Sequence, residues 1–348
     1  MTLRENNHRI LALWLFTCCG MIAAMIVIGA ITRLTESGLS MVEWRAAMDM
    51  LPPLNQEAWN AAFHKYQASP EFLDKNSGMD LAQYKNIYFW EWLHRLWGRL
   101  IGLVYALPLL YFWLRGRIPN ELKPRFILFL ALGGLQGFIG WYMVKSGLVN
   151  EPRVSHYRLA LHLGTALVLF SALWAQALPL WPRSADALWR NYIPALQKYR
   201  AHGWVCLAVL SVTILWGAFV AGLDAGMIYN EFPLMGGKLM PGEIFFLSPA
   251  WKNFLENPAA VQFTHRVLGI ATFLVIFSFA LEAWQSRNWL LQRFGIALGL
   301  IVLLQLALGI ATLLSRVDII LAAAHQANAL VLLATTIAAL LFLQGRKN

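Results

Sequence analysis

The sequence predicts an all-α polytopic membrane protein, with eight transmembrane helices arranged as two tandem four-helix bundles. Three observations favour this fold class. First, the 348 residues are 59% hydrophobic and only 13% charged, whereas about a quarter of the residues in a soluble domain are charged. Second, the apolar residues form runs long enough to cross a bilayer. Third, matched motifs recur in the two halves of the chain.

The apolar runs predict eight spans. A spanning helix needs about 20 apolar residues. Six runs between flanking charges meet this requirement: Ile10–Thr32, Phe126–Val144, Leu159–Pro182, Ala201–Leu223, Phe294–Ser315 and Ile319–Gly345. Two shorter runs, Leu100–Leu114 and Val267–Leu281, extend back through polar segments to starts near Tyr88 and Pro258. Because lipid tolerates polar groups poorly, these two segments are expected to face a protein interior.

The distribution of charge predicts that both termini are cytoplasmic. In that orientation the cytoplasmic segments hold 14 Lys and Arg against 4 acids, and the outer segments hold 11 against 13, which agrees with the positive-inside rule. The long loops Leu34–Ile87 and Ala225–Asn257 are then outside. The first apolar run is too long for a signal-peptide core, and no Arg- and Ser-rich presequence precedes it. A bacterial inner membrane is therefore the expected location.

The net charge of +10 is interpreted as a consequence of this topology. The basic residues lie between apolar runs rather than on one soluble face, so no nucleic-acid partner is expected. The three cysteines, Cys18, Cys19 and Cys206, lie within apolar runs and show no disulfide or zinc spacing. We expect them to be small buried residues.

The two halves, residues 1–190 and 191–348, are predicted to be structural repeats. Four matches occur in the same order: Gly29–Gly38 with Gly217–Gly226, His94-Arg95 with His265-Arg266, Gln136 and Gly140 with Gln305 and Gly309, and His162 with His325. Each half has an even number of spans, so both should share one orientation. A pseudo-two-fold axis along the membrane normal is the expected relation.

Four of the eight histidines lie a few residues inside predicted spans: His94, His162, His265 and His325. A lone intramembrane histidine is usually a satisfied core residue, but two matched pairs at one depth are typical of cofactor ligands in helix bundles. Imidazole is a common axial ligand of haem iron, whereas zinc would need three or four clustered N or S ligands. Two bis-histidine haem sites near the outer surface are therefore predicted. The other four, His8, His64, His156 and His202, lie at helix edges or in loops, where a solvated imidazole needs no partner.

Charged residues beside the histidines suggest further roles. Arg95 and Arg266 directly follow two of the ligands and are predicted to pair with haem propionates in bidentate fashion, with lipid headgroups as the alternative partners. Glu91 lies three residues before His94 on the same helix face, and its counterpart is Gln262. We expect Glu91 to handle protons at one haem only; a carboxyl that caps the helix or is hydrated is the alternative.

The segments Gly29–Ser40 and Tyr88–Arg99 resemble the haem A synthase family, and the resemblance covers essentially the whole chain. It implies oxidation of a ring methyl of haem O to the formyl group of haem A, the haem of cytochrome c oxidases. It also implies that His94 and His162 hold haem O beside the catalytic Glu91, and that His265 and His325 hold a haem b cofactor. Some members have a cysteine pair in the first outer loop; this chain has none and looks more like the mitochondrial and alphaproteobacterial branch.

The expected partners are the lipid bilayer, haem O, an unidentified electron acceptor, haem O synthase as a candidate source of substrate, and a second copy in a candidate homo-oligomer. Two other functions are compatible with parts of the pattern. A quinone-linked two-haem cytochrome b would have the same bundles and ligands, but it does not account for the unmatched Glu91. A transporter would need matched helix breaks in the two halves, and Pro108 has no counterpart in the sixth span.

Overall fold

The computed structural model describes residues 3–43, 50–147, 154–181 and 196–344. In these ranges the regular structure is helical. The α-helices are α1 (Leu3–Leu34), α2 (Gln56–Gln67), α3 (Pro70–Lys75), α4 (Leu81–Leu114), α5 (Lys123–Gly147), α6 (His156–Leu180), α7 (Arg200–Gly222), α8 (Asn253–Glu256), α9 (Pro258–Trp284), α10 (Trp289–Leu314) and α11 (Ile319–Gln344).

Eight of the described helices are long and apolar enough to cross a membrane: α1, α4, α5, α6, α7, α9, α10 and α11. The predicted all-α fold with eight spans is confirmed, and the chain is a multi-pass membrane protein. Helix α9 begins at Pro258 as expected, because the Asn257 side chain accepts a hydrogen bond from the backbone of Ala259. The expected span ends at Pro182 and Gly345 lie outside the described residues.

Helix α4 begins at Leu81, seven residues before the expected start at Tyr88. Its first residues form a capping box, in which the Asp80 carboxylate accepts from the Gln83 backbone at 2.8 Å and the Gln83 side chain accepts from the Asp80 backbone at 3.0 Å. The first two turns therefore extend beyond the apolar run that predicted the helix.

The chain folds as two compact units. Residues 20–169 form the first unit, which contains most of α1, all of α2 to α5 and the start of α6. Residues 1–19 and 170–348 form the second unit, which contains the other ends of α1 and α6 together with α7 to α11. The expected boundary between residues 190 and 191 lies outside the described residues, and it stays a prediction, as does the pseudo-two-fold axis.

The connection between α1 and α4 is a folded element of the first unit. Helices α2 and α3 pack on α4 through a buried cluster that includes Tyr66, Phe72 and Tyr84. The fully buried rings of Tyr66 and Tyr84 stack with centroids 5.1 Å apart. Asn55 caps α2 and Ser69 caps α3. The apolar core of this unit thus extends from the membrane helices into the connection.

Two buried asparagines of the second unit organise part of the connection between α7 and α9. The Asn253 side chain accepts from the Leu247 backbone N–H at 2.9 Å and donates to the Leu247 carbonyl at 2.8 Å. Asn257 donates to the Glu243 carbonyl at 2.6 Å as well as capping α9. Because buried backbone groups need partners, these side chains allow an irregular segment to pack closely.

Glu71 makes the stability of the first connection dependent on pH. Its side chain is 5% exposed, and burial raises its pKa from 4.5 to about 7, although the hydrogen bond from the Tyr66 hydroxyl at 3.1 Å acts in the opposite direction. The other charged groups that act on it are Glu91, Lys75 and Glu36. The folded state therefore favours the protonated carboxyl, and the resulting stabilisation is complete below about pH 4.5 and is lost as pH rises through about 7.

We expect the thermal unfolding midpoint of the detergent-solubilised protein to fall as the pH rises from about 5 to about 8. The loss in folding free energy is at most about 3 kcal/mol. The Glu71→Gln variant should remove most of this dependence, because the amide does not ionise. Glu57→Gln, at an exposed position of α2, is the matched control. An unchanged pH profile in Glu71→Gln would contradict this account of Glu71.

Candidate functional site

The four predicted ligands lie in two pairs, one in each unit. His94 of α4 and His162 of α6 belong to the first unit, and His265 of α9 and His325 of α11 belong to the second. Within each pair the two imidazoles are close enough to interact electrostatically. The structure therefore brings together the residues that the sequence pattern had paired.

Each of these imidazoles packs against a glycine of another helix in its own unit. A Cβ atom placed on the glycine would lie about 3 Å from the Cε1 atom of the ring. The contacts are Gly29 with His94 (3.1 Å), Gly140 with His162 (3.0 Å), Gly217 with His265 (3.2 Å) and Gly309 with His325 (2.9 Å). At such distances a methyl group requires the ring to move, so the absence of a side chain permits the close approach.

A glutamine contacts the second histidine of each pair. Gln136 of α5 donates to the His162 carbonyl at 3.0 Å, and its Nε2 atom lies 3.1 Å from the ring Nδ1. Gln305 of α10 donates to the His325 carbonyl at 3.1 Å, with Nε2 3.2 Å from the ring Nδ1. The two glutamines align in the sequence, but without the structure they had no assigned role. Their matched positions, four residues before Gly140 and Gly309, indicate a shared role but not which residue they contact.

The first histidine of each pair has an unsatisfied ring nitrogen. The Nδ1 atoms of His94 and His265 are buried, and neither has a hydrogen-bond partner among the described residues. Leaving a buried polar atom unpaired is costly, and a bound group is one explanation for such an atom. The described residues contain no group of three or more His, Cys, Asp or Glu side chains that could hold a metal ion. Two imidazoles per unit instead suit the axial ligation of a haem.

Glu91 joins α4 to the residues that follow α1. Its carboxylate accepts hydrogen bonds from Ser40 Oγ at 2.7 Å, from the Met41 backbone N–H at 2.6 Å and from Arg95 Nη2 at 2.5 Å. The side chain is only 3% exposed, and it lies ten residues past the start of α4. The alternative of a hydrated or helix-capping carboxyl is therefore wrong.

Arg95 completes this connection. It is 8% exposed and donates to the carbonyls of Met41 and Glu43, at 3.0 Å in both cases, as well as to Glu91. Its guanidinium group therefore holds the chain that leaves α1, and its burial excludes the alternative partner, a lipid headgroup. Whether Arg95 also contacts a propionate stays a prediction.

The second unit has a related arrangement, in which an amide that donates to the connecting segment takes the place of a carboxylate that accepts from it. Gln262 donates to the carbonyls of Ala225 and Tyr229 and accepts from Arg266 at 3.2 Å. The two Nη atoms of Arg266 also donate to the carbonyls of Tyr229, Glu231 and Leu234.

Arg266 keeps one N–H for a further partner. Its Nε atom is buried and has no partner among the described residues, whereas the four N–H groups on its Nη atoms match four hydrogen bonds. A propionate would therefore meet a single donor. Three carbonyl groups and the Gln262 side chain accept from the other N–H groups in this conformation, and the bidentate pairing of Arg266 with a propionate stays a prediction.

The other histidines include one whose environment was not expected. His202 of α7 is 23% exposed, with Nδ1 3.1 Å from Glu282 Oε2 and Nε2 3.0 Å from the Val275 carbonyl of α9. The expectation of a solvated imidazole is wrong here, because its partners come from a helix about 75 residues away. The expectation that Cys18, Cys19 and Cys206 are buried and unbridged is confirmed.

Comparison with known proteins identifies the family of this chain. Residues 12–337 match the model of the COX15-CtaA family, described as cytochrome oxidase assembly protein. The chain is 53% identical over 324 residues to Heme A synthase of Rhodospirillum centenum, covering 92% of this chain and 85% of that protein. It is 46% identical over 340 residues to Heme A synthase COX15 of Bos taurus, covering 95% and 81%. The human Heme A synthase COX15 is 45% identical over 338 residues, covering 94% and 80%. The chain therefore belongs to the COX15-CtaA family of cytochrome oxidase assembly proteins.

Proposed function

We propose that this protein is a haem A synthase, an oxidoreductase that converts the methyl group of haem O to the formyl group of haem A for cytochrome c oxidase. The observation that carries the proposal is a difference between two histidine pairs: a buried carboxyl, Glu91, lies three residues before His94, whereas an amide, Gln262, lies three residues before His265. Relatives that carry the name Heme A synthase support it over more than 90% of this chain.

The two units have different roles in this proposal. His94 and His162 hold the substrate haem O, and His265 and His325 hold a haem b cofactor. The unsatisfied Nδ1 atoms of His94 and His265 support ligand binding in both units. A bound haem b supplies one-electron chemistry through its iron. Arg95 and Arg266 hold the polypeptide beside each site, and each contributes positive charge toward the haem propionates.

Glu91 is the proposed catalytic residue, acting on protons at the substrate site. It lies three residues before His94 on one helix face, and its carboxylate is shielded from water. The Ser40 hydroxyl, 2.7 Å from Oε2, is the first group with which it exchanges a proton. Gln262 has the equivalent position in the second unit and cannot perform this role, because an amide does not titrate.

The remaining proposals concern location and partners. A bacterial inner membrane, cytoplasmic termini and sites near the periplasmic surface are supported by the excess of Lys and Arg in the segments assigned to the cytoplasm, 14 against 4 acids. Haem O synthase is the proposed source of substrate. We also propose that the protein passes electrons to an acceptor and that copies of this chain form a homo-oligomer.

Pigment analysis tests the proposed function. Membranes that contain this chain together with a haem O source should yield haem A on extraction, and membranes with the haem O source alone should yield haem O. The alternative, a two-haem cytochrome b, predicts additional haem b and unchanged haem O. Absence of haem A from membranes in which the chain accumulates would contradict the proposed activity.

A further inference from the structure

The glycines that contact the four imidazoles follow one rule. In each unit, each histidine contacts a glycine on the membrane helix that precedes its own along the chain. Thus α1 and α5 supply Gly29 and Gly140 in the first unit, and α7 and α10 supply Gly217 and Gly309 in the second. Each contact is made to Cε1, the ring carbon between the two nitrogens. A limit on the position of Cε1 is therefore a limit on the direction of both nitrogens.

Among the glycines whose surroundings the structure describes, these four are the ones that contact an imidazole, whereas other crowded glycines lie against apolar side chains, a tyrosine ring or backbone. A glycine inside a helix costs about 1 kcal/mol relative to alanine, so its use needs a reason. Gly20 of α1 and three glycines of α5, at positions 133, 134 and 137, have no atom within 4 Å of an added Cβ. Helices α1 and α5 therefore contain both glycines that leave open space and glycines against which an imidazole packs, whereas other glycines of α7 and α10 lie against residues that are not histidines.

The helix that precedes the second histidine of each pair provides two contacts from one face. Gln136 lies four residues before Gly140, and Gln305 lies four residues before Gly309, so each pair shares a helix face. The glutamine holds the backbone carbonyl of the histidine, and the glycine contacts the edge of its ring. Together they restrict the backbone of the histidine and the outer edge of its ring.

We propose that Gly29, Gly140, Gly217 and Gly309 are positioning residues that set the tilt and depth of the four haem-ligating imidazoles. This inference rests on the proposed function, because it assumes that the imidazoles are ligands. A methyl group at any of the four positions displaces the ring and changes the direction in which its nitrogens point. An extra methyl group in a well-packed interior forces neighbouring side chains out of their preferred positions. The moved imidazole would then meet the haem iron at a different angle or distance.

The test uses haem b in the second unit, where the readout does not depend on synthase activity. Gly309→Ala places a Cβ 2.9 Å from His325 Cε1, whereas Gly299→Ala on the same helix places one 3.5 Å from the Ala280 Cβ, an ordinary contact. Both variants gain the same helix propensity, so their difference reports the contact with the imidazole. The electron paramagnetic resonance spectrum of the oxidised protein and the haem b content per chain are measured after purification.

We expect Gly309→Ala to shift the low-spin ferric signal and to weaken haem b retention by roughly five- to a hundredfold, the range for overpacking by one methyl group. Gly299→Ala should match the wild type. If Gly309→Ala does not accumulate, Gly217→Ala decides the question, because its Cβ lies at 3.2 Å from His265 Cε1 and demands a smaller shift.

Two failures are distinguishable. A Gly309→Ala protein with the spectrum and haem content of Gly299→Ala would overturn the positioning role and leave the proposed function intact. If Gly309→Ala does not accumulate, an unchanged spectrum in Gly217→Ala would overturn the positioning role in the same way. A wild-type protein without haem b would instead remove the proposed function on which the inference rests.

Discussion

Replacing Glu91 with Gln is expected to reduce haem A formation by at least about a hundredfold, the usual contribution of a positioned acid or base. The amide cannot accept or release a proton beside His94. Gln262 shows that a glutamine can accept a hydrogen bond from the neighbouring arginine, but an amide at position 91 would also face the Ser40 hydroxyl and the Met41 N–H, which both donate to the Glu91 carboxylate. The amount of folded chain is therefore measured as well. Haem b, which is assigned to the other unit, should remain bound. The measurement is the amount of haem A extracted per purified chain from cells that supply haem O.

Two control variants separate proton handling from packing. Gln262→Glu, the reverse change at the matched position, should leave haem A formation largely intact if only the first unit carries out chemistry. Ser40→Ala removes one hydrogen bond to Glu91 but leaves the carboxyl, so we expect a smaller loss than in Glu91→Gln. Wild-type levels of haem A in Glu91→Gln would exclude the proposed role. Loss of haem b or of the folded chain would show that Glu91 acts on structure instead.

Removing a histidine of the second unit is expected to abolish the haem b spectrum. His265→Ala and His325→Ala would each remove one of the two imidazoles proposed to hold haem b, so the low-spin spectrum of a haem with two imidazole ligands should be lost whether or not the haem itself is retained. His94→Ala and His162→Ala should keep the haem b spectrum but lose haem A formation, because their pair lies in the other unit. Visible absorption of the reduced proteins and extraction of their haems measure both effects.

The control for histidine removal is His64→Ala, at an exposed position of α2, which should match the wild type in both measurements. A normal haem b spectrum in both His265→Ala and His325→Ala would refute the ligand assignment. Loss of haem b in all four site variants would show that the two units do not bind their haems independently.

Residue type and order predicted much of the fold and of the site. Six of the eight spans follow from the length of apolar runs, and the other two follow from shorter runs extended through polar segments that face a protein interior. The two histidine pairs follow from the repeat, since one imidazole in a span is ambiguous but matched pairs are not. The same reasoning predicted the start of α4 seven residues too late, because the first two turns of the helix lie outside the apolar run.

Contacts between distant segments could not be predicted. Nothing around Gln136 or Gln305 in the sequence shows that each holds the backbone of a histidine 20 or more residues away. The charge of Arg266 suggested a propionate, whereas the folded connection supplies several carbonyl groups to the same guanidinium. His202 likewise finds Glu282 only after α7 and α9 pack. Such pairings depend on tertiary structure, which local patterns do not encode.

The haem content of the purified wild-type protein tests the central claim most directly, because that claim assigns one histidine pair to a resident cofactor and the other to substrate. Extraction and chromatographic quantification should give one haem b per chain, together with a substoichiometric and exchangeable amount of haem O or haem A. A protein that is colourless and free of iron after expression in haem-replete cells would contradict the account. Two tightly bound haem b groups per chain, with neither haem O nor haem A, would contradict the assignment of the first unit to substrate.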